Sequence, residues 1–440
     1  MSSPAQDERR ETSTTRSALL IAVGIFLSRI VGLVRQRVFL HYFGGVSDAG
    51  DAFSAAFRIP NFLQNLFGEG VLSASFIPVY ARLLAEGDER EAGRVAGAIF
   101  ALLALLTSLL VLLGVFFTPQ LIDLIAPGFT GEKRELTIRL VKILFPGAGL
   151  LVLSAWCLGI LNSHRRFFLS YAAPIIWNFA MIGTLLGFGW RVGQYRLAEI
   201  LAWGSVAGSA LQFVVQLPTV LTLARHLHLS LAANSQSVRT VARNFVPVFI
   251  SRGVVQISAY VDSLLASLLG TGAVNSLAAA QIIYTLPVSL FGMSLAAAEL
   301  PAMASVIGDE KELAADLRRR LNGGLRRIAF FIVPSAFAFL TLGDVVAGAL
   351  YQSGKFSRAD SLYVWAILAG YSLGLLPSTL GRLYSSTYYA LRDTRSPLRF
   401  AVIRVSLATL FGYLCAVQLP PRFGLDTRYG VVGLTAAAGV

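Results

Sequence analysis

The sequence predicts an all-α polytopic membrane protein with two pseudo-symmetric six-helix lobes around a central cavity. Composition is the first observation: of 440 residues, 55% are hydrophobic and only 14% are charged, and the mean hydropathy is +0.66. Soluble domains carry about a quarter charged residues, so the chain is of the membrane class. A series of twelve apolar segments and an internal repeat are the second and third observations.

Each apolar segment approaches or exceeds the length of about 20 mostly apolar residues that a transmembrane helix needs, apart from the twelfth, where the sequence ends. We predict helices near 17–42, 51–84, 93–118, 136–162, 169–190, 197–224, 239–269, 273–306, 323–343, 361–391, 398–418 and from 428 onward. The predicted domains are a cytoplasmic tail, an N-lobe of helices 1–6, a cytoplasmic linker and a C-lobe of helices 7–12, at 1–16, 17–226, 227–238 and 239–440. The last residues, VVGLTAAAGV, are typical of a helix interior, so we expect the twelfth helix to be incomplete and the chain truncated.

The distribution of basic residues predicts the orientation. With the N-terminus in the cytoplasm, the inner flanks hold about twenty Lys and Arg residues and the outer flanks about eight. Cytoplasmic loops carry the excess of such residues, which also explains most of the net charge of +13. We therefore expect a multi-pass membrane protein with its N-terminus in the cytoplasm.

An internal repeat connects the two predicted lobes. LFGEGVLSASFIP (66–78) resembles LFGMSLAAAELP (290–301), each within the second helix of its set of six, and Pro60 and Pro287 stand upstream of the two copies. Glycine and proline bend or break membrane helices beside cavities. Two copies that both start inside predict parallel repeats about an axis along the membrane normal, with the substrate site between the lobes.

The sequence carries no signature of an enzyme, a metal site or a nucleic-acid-binding protein. The four histidines lack partners at ligand spacing, and neither an acidic metal cluster nor a nucleophile elbow nor a phosphate-binding glycine loop is present. Cys157 and Cys415 both lie in apolar segments, which argues against a disulfide framework. No basic run is interleaved with aromatic residues. We expect no catalytic residue, no metal and no cofactor.

Arginines inside apolar segments are the strongest functional signal. Arg29, Arg35 and Arg58 offer planar donor forks that suit phosphate or carboxylate, and they indicate a wet, cationic cavity. In the alternative interpretation, Arg29 and Arg58 pair with Asp51 or Glu69 and hold two helices together. For Arg58 the two interpretations stand equal, whereas the charge neighbouring Arg35 favours a polar cavity for that residue.

The seventh helix adds two charged candidates. Arg252 is a candidate fourth cation that faces the substrate from the opposite lobe. Asp262 is the only acid of that helix, and an isolated intramembrane acid suggests coupling to a monovalent cation or a proton. The alternative is a pair between Asp262 and Arg252. Four tryptophans near the predicted span ends are interpreted as interfacial belt residues, namely Trp156, Trp177, Trp190 and Trp203.

Motifs along nearly the whole chain resemble the MviN/MurJ lipid II flippases of the multidrug/oligosaccharidyl-lipid/polysaccharide exporter superfamily. They are SRIVGLVRQ, DAFSAAFRIPNFLQNLFGEG, APGF, GILNS, YAAP with WN, QLP, QIS, YQSGKF and RDTRSP. The resemblance implies two lobes in a V shape, a cationic cavity for the pyrophosphate of the undecaprenyl-linked precursor, and alternating access driven by the membrane potential or an ion gradient. It also implies two further C-terminal helices that form a groove for the lipid tail. The matching positions are Arg29, Arg35, Asp51, Arg58, Asn61 and Glu69.

The chain also departs from the family pattern. Gln36 replaces a frequent acid, Gln64 replaces an arginine of the second helix, and Gln281 and Ile282 stand where an acid–arginine pair opens the eighth helix. The contact of the second lobe with the substrate is therefore in question, and Arg252 is the candidate replacement.

The resemblance, together with the intramembrane arginines, implies a flippase, not an enzyme, that moves lipid II from the inner to the outer leaflet of a bacterial cytoplasmic (inner) membrane for cell-wall synthesis. Arg29, Arg35, Arg58, Asn61 and Arg252 would bind the substrate. Asp51, Glu69, Pro60 and Pro287 would have structural or gating roles, and Asp262 would couple transport to an ion. The predicted partners are lipid II, membrane lipids and cell-wall synthesis proteins, with no nucleic acid. The alternatives are a flippase for another undecaprenyl-linked oligosaccharide and a non-transporting scaffold of the cell-wall machinery.

Overall fold

The computed structural model describes residues 24, 26–67, 69–229, 235–293, 295, 303, 310–391, 393, 395–424 and 426–438. Within this part the chain is helical with short turns, and its one β-type contact is an isolated bridge between Ser353 and Phe356. In chain order the helices are α1 (26–43), α2 (Asp48–Phe67), α3 (Glu69–Ser75), α4 (Ile77–Ala85), α5 (Glu89–Phe116), α6 (Thr118–Ile125), α7 (Gly131–Ser163), α8 (Phe167–Phe188), α9 (Gln194–Leu223), α10 (Gln236–Ser267), α11 (Ala273–Pro287), α12 (Glu310–Tyr351), α13 (Arg358–Ala390), α14 (Arg395–Tyr413), α15 (Leu419–Arg422) and α16 (Gly430–Ala437).

The all-α membrane class is confirmed. Among the described residues, eight helices are long and apolar enough to cross a membrane, and they lie at Glu89–Phe116, Gly131–Ser163, Phe167–Phe188, Gln194–Leu223, Ala273–Gly292, Ala315–Tyr351, Arg358–Tyr388 and Arg395–Arg422. The predicted helix near 17–42 falls partly outside the described residues, as does the end of the one near 273–306. Each of the twelve predicted segments contains helix where it is described.

The second predicted segment contains a turn. The sequence predicts one continuous span over 51–84, whereas the described residues show a turn at Phe76, between the end of α3 at Ser75 and the start of α4 at Ile77. Pro78 stands in the first turn of α4, a position that tolerates its missing N–H. In the other copy of the repeat, α11 passes at Pro287 into a π-helical turn over Val288–Met293. Both copies therefore depart from regular α-helix at the same motif.

The chain divides into two compact units. The described residues of the first fall within Met1–Tyr42, Ala52–Leu124 and Thr130–Ala259, and those of the second within Phe43–Asp51, Ile125–Phe129 and Tyr260–Val440. The lobe boundary predicted at 227–238 remains a prediction.

Helix α7 is the central helix of the first unit. In its most apolar stretch, 72% of the residues are buried. In the corresponding stretch of α5 only 22% are buried, so most side chains of α5 face outward. Trp156 of α7 is fully buried, and its indole N–H donates to the Ala96 carbonyl at 3.1 Å. A buried Ser154 hydroxyl joins Gln212 and Gln216 of α9 at 2.9 and 2.8 Å. Apolar packing and these hydrogen bonds thus fix α7 against both neighbours.

The second unit is centred on α11, α12 and α13. Tyr351, at the end of α12, is fully buried and donates its hydroxyl to the Ala279 carbonyl of α11 at 3.2 Å. Tyr284 of α11 stacks on Tyr371 of α13, with ring centroids 4.5 Å apart, and its hydroxyl lies 2.9 Å from that of Ser378. These aromatic contacts hold the π-helical turn that follows α11 in a rigid setting.

Candidate substrate-binding site

The guanidinium of Arg35 lies in a box of aromatic rings inside the first unit. Its central carbon is 5.4 Å from the centroid of the Phe57 ring and 5.3 Å from that of Trp177. One of its terminal nitrogens is 3.9 Å from the sulfur of Met181. The side chain is half-buried. Aromatic faces attract a guanidinium and orient its plane, so the structure places a fixed cation where an apolar helix was predicted to carry one.

The box follows from a line of stacked rings on α2 and α8. Phe53 and Phe57 are one helical turn apart and stack at 5.5 Å, and Phe57 stacks on Trp177 at 5.4 Å with an interplanar angle of 10°. The Trp177 indole N–H donates to the carbonyl and the hydroxyl of Ser205 on α9, at 3.1 and 3.2 Å. Gly208 lets these helices approach, since a Cβ there would lie 2.9 Å from the indole. The three helices thus hold the ring plane that Arg35 faces.

The other predicted substrate ligands of this unit lie on α1, α2 and α10. Arg29 is exposed, six residues before Arg35 and therefore about 9 Å along the helix axis. Arg58 and Asn61 are half-buried and three residues apart, so they share one face of α2. Arg58 follows Phe57 directly, which puts it on the helix that packs against Arg35. The side chain of Arg252, on α10, lies outside the described residues.

Asp51 has a role that the sequence analysis did not name. It is fully buried, and its two carboxylate oxygens accept the backbone N–H groups of Gly272 at 2.7 Å and Asn275 at 2.8 Å. The Asn275 amide donates in turn to the carbonyls of Gly44 and Gly45 at 2.8 and 3.2 Å. Asp51 therefore satisfies free N–H groups at the start of α11. Signals present in the sequence are the Gly272 before an apolar helix and the acid at the start of α2.

The other residues with predicted gating or ion-coupling roles are not part of the Arg35 box. Pro287 is buried at the end of α11, and Asp262 is half-buried on α10, both in the second unit. The side chains of Pro60 and Glu69 lie outside the described residues, so their predicted gating and pairing roles remain predictions.

The tryptophan interpretation is wrong for two residues. Trp156 is buried in the core, and Trp177 forms a wall of the Arg35 box, because Ala96 and Ser205 of neighbouring helices supply acceptors for their indole N–H groups. Trp190 and Trp203 are 76% and 61% exposed, as an interfacial belt requires. Phe57, Trp177 and Met181 are the site residues that sequence reasoning missed.

The described residues hold no group of three or more His, Cys, Asp and Glu side chains that could bind a metal ion. The chemistry that the arrangement offers is recognition of an anion by guanidinium groups. Arginine forms paired, charge-assisted hydrogen bonds with phosphate oxygens, and partial burial strengthens them.

Comparison with known proteins gives a consistent result. A family model described as "Lipid II flippase MurJ" matches residues 40–440. A probable lipid II flippase MurJ of Rhizobium meliloti is 32% identical over 403 residues, covering 88% of this chain and 74% of the relative. The lipid II flippase MurJ of Burkholderia cenocepacia is 29% identical over 435 residues, covering 97% and 81%.

Solved structures agree with the sequence relatives. A structure of lipid II flippase MurJ in an inward closed conformation has a TM-score of 0.78 and 27% identity, and the match covers 96% of this chain and 85% of that one. An inward-facing multidrug transporter of the MATE family has a TM-score of 0.70, with coverage of 96% and 95%. Its 16% identity supports the helical transporter fold alone.

Proposed function

The chain belongs to the family of the lipid II flippase MurJ, and from this membership we propose how its residues act on lipid II. The protein is a multi-pass membrane transporter, not an enzyme, and its task is to move lipid II across the membrane for peptidoglycan synthesis. The proposal concerns the substrate contacts, the orientation and the driving force.

The half-buried Arg35 in its aromatic box carries the proposal. A charged side chain in an apolar helix is costly unless it faces a polar space or a partner. The rings of Phe57 and Trp177 fix the guanidinium plane at 5.4 and 5.3 Å, so little side-chain freedom is lost when an anion binds. The pyrophosphate of lipid II is an anion that suits the donor fork of arginine.

Arg29, Arg58 and Asn61 complete the proposed contact to the pyrophosphate. Arg58 stands next to Phe57 on α2, and Asn61 lies on the same face one turn further. A carboxamide adds a neutral donor beside the cations, which allows the charge of the site to match that of a diphosphate. Arg252 is the proposed contribution of α10.

We propose that transport follows alternating access in the bacterial inner membrane, with the N-terminus in the cytoplasm. The excess of basic residues on the inner flanks supports this orientation. The membrane potential or an ion gradient would drive the cycle, with Asp262 as the site of a monovalent cation or a proton. A carboxylate that is half-buried in a membrane helix supports that role.

The test is replacement of Arg35 in a strain depleted of its own flippase. We expect Arg35→Ala to abolish growth at normal membrane levels of the protein. Arg35→Lys should support partial growth, because lysine keeps the positive charge but lacks the planar pair of N–H donors of the guanidinium. Arg404→Ala is the matched control, since Arg404 is an exposed arginine of a spanning helix outside the site. Normal growth with Arg35→Ala would refute the proposed site.

A binding measurement separates transport from a scaffold role. Native mass spectrometry of the purified protein should show lipid II bound in preference to undecaprenyl phosphate, and Arg35→Ala should remove that preference. A scaffold would instead support growth with either arginine variant and show no preference between the two lipids.

A further inference from the structure

A cavity in the first unit shares no lining residue with the Arg35 box. It has a volume of about 630 Å³ and lies among the end of α4, the start of α5 and the turn between α7 and α8. Ligand pockets in proteins have volumes of about 300–1,000 Å³, so a small head group fits. One wall is apolar, and Ile77, Leu84 and Phe167 form it. Glu89, Asn162 and Arg165 line the polar side.

The polar side presents hydrogen-bond acceptors and one cation. The Glu89 side chain is exposed at the first residue of α5. Asn162 also lines this side, although its side-chain oxygen is closed off from the cavity. His164 is a further lining residue, and its Nε2 lies 3.2 Å from the Tyr80 hydroxyl.

Arg165 is held at the cavity by its backbone. It is the only described residue other than glycine with a positive φ, at 57°. Its N–H donates to the Asn162 carbonyl at 3.0 Å, and the next N–H donates to that of Leu161 at 2.8 Å, which closes the end of α7. The Arg165 side chain is exposed. A cation and the acceptor Glu89 therefore line the same cavity.

The surroundings suggest that the occupant comes from the bilayer. In the orientation proposed above, the connections α4–α5 and α7–α8 lie on the cytoplasmic flank, where arginines such as Arg82, Arg90 and Arg166 stand. The apolar wall formed by Ile77 and Phe167 belongs to helices that lead into the membrane. A ligand with one polar end and one apolar end matches this division.

We propose that this cavity binds a phospholipid whose head group is a phosphate carrying a primary amine, that is, phosphoethanolamine. The ammonium would donate to the Glu89 carboxylate, the phosphate would accept from Arg165, and the first acyl carbons would lie along Ile77 and Phe167. A choline head has no N–H to donate, and a glycerol head has no positive charge for Glu89. The inference rests on the proposed membrane orientation, not on the lipid II contacts.

Competition among lipids in native mass spectrometry tests this proposal. The full chain would be offered phosphatidylethanolamine, phosphatidylcholine and phosphatidylglycerol with identical acyl chains. We expect the ethanolamine lipid to bind about tenfold more tightly than the choline lipid, the effect of one charge-assisted hydrogen bond. Glu89→Gln should remove this preference, and Arg165→Gln should weaken both lipids.

Two controls keep the result interpretable. Glu132→Gln changes an exposed acid at the start of α7, outside the cavity, and should leave the lipid preference unchanged. Ala81→Leu narrows the cavity without a change in charge and should weaken both lipids. Lipid II binding, measured on the same samples, should persist in all four variants. Equal binding of the two lipids to the unmodified protein, or a preference that survives Glu89→Gln, would overturn the proposal and leave the flippase function untouched.

Discussion

The carboxylate of Asp51 accepts the backbone N–H of Gly272 at 2.7 Å, across 221 residues of sequence. Gly272 has a φ of +87° and immediately precedes α11, and the second carboxylate oxygen takes the N–H of Asn275 inside the first turn. A buried carboxylate is stable there because the free N–H groups and the dipole of the helix start both favour negative charge. The contact joins a helix of the first half of the chain to one of the second half.

Replacing Asp51 by Asn should destabilise the protein. The amide would turn an NH₂ group toward one of the two backbone N–H groups, and the loss of a hydrogen bond to a charged acceptor costs about 1.5–3 kcal/mol. The measurement is thermal unfolding of the purified protein in detergent. Asp48→Asn is the matched control, since Asp48 is less buried and accepts from the Thr271 hydroxyl. Equal shifts in the two variants would contradict the assigned role of Asp51.

Trp177→Leu should weaken lipid II binding while the fold is retained. Removal of one wall of the box frees the Arg35 guanidinium, and a cation–π contact of this kind contributes about 1 kcal/mol, or about fivefold in affinity. Trp177→Phe keeps an aromatic face but loses the two hydrogen bonds to Ser205. Its affinity for lipid II should therefore lie between those of the unmodified protein and Trp177→Leu. Native mass spectrometry with lipid II gives the affinities.

The exposed Trp203 provides the comparison for that series. It lies on α9 with 61% of its surface accessible, and Trp203→Leu should leave lipid II affinity unchanged. If Trp177→Leu binds lipid II as the unmodified protein does, then the rings do not position Arg35 for the substrate.

Local patterns were sufficient to predict the helices, but contacts distant in sequence were not predictable. Long apolar stretches identify spans because every backbone polar group in a membrane must be satisfied within a helix. The Gly and Pro residues between Gly68 and Pro78 indicate the repeat, yet not the turn at Phe76 between α3 and α4.

The candidate site also combines a locally predictable residue with contacts that are distant in sequence. Arg35 stood out in the sequence because a charge in an apolar helix needs a reason. Its partner Trp177 lies 142 positions later, and composition does not reveal which helix face a tryptophan occupies, so it was assigned to the interface. The sequence predicts a structural or gating role for Asp51, but its N–H partners at Gly272 and Asn275 depend on the packing of α11.

Gly93 and Gly97 allow the chain after α9 to lie on the first turns of α5. A Cβ at Gly93 would be 2.2 Å from the His226 carbonyl oxygen, and one at Gly97 would be 2.1 Å from that of His228. We expect Gly93→Ala and Gly97→Ala each to displace this segment and to lower the melting temperature. Tryptic cleavage after Arg225 should accelerate, which limited proteolysis of the purified protein measures.

Two glycines of α8 provide matched controls, because alanine there should raise the stability of the protein instead of lowering it. Gly183 and Gly187 have nothing within 4 Å of an added Cβ. Alanine there should stabilise the helix by up to about 1 kcal/mol, since it removes the backbone entropy cost of glycine. A lower melting temperature in the α8 variants, or an unchanged rate of cleavage after Arg225 in the α5 variants, would contradict the close approach as the reason for these glycines.

The protein should become less stable on acidification because of His164. Burial lowers the pKa of His164 below its ordinary value, an effect that Glu89 opposes and Arg166 reinforces. The unfolded chain therefore binds a proton at a pH where the folded protein does not, so stability rises with pH through the window below about 6.5 and declines on acidification.

Melting temperatures of the purified protein between pH 5 and pH 8 measure this dependence, and His164→Gln supplies the comparison. Glutamine keeps a polar side chain that can hydrogen-bond Tyr80 but does not titrate, so the variant should show a shallower loss of stability on acidification. His228→Gln is the control, because this histidine also lies in a connection between helices and is not the partner of the Tyr80 hydroxyl. Identical pH profiles for the unmodified protein and His164→Gln would mean that another group responds to acid in this range.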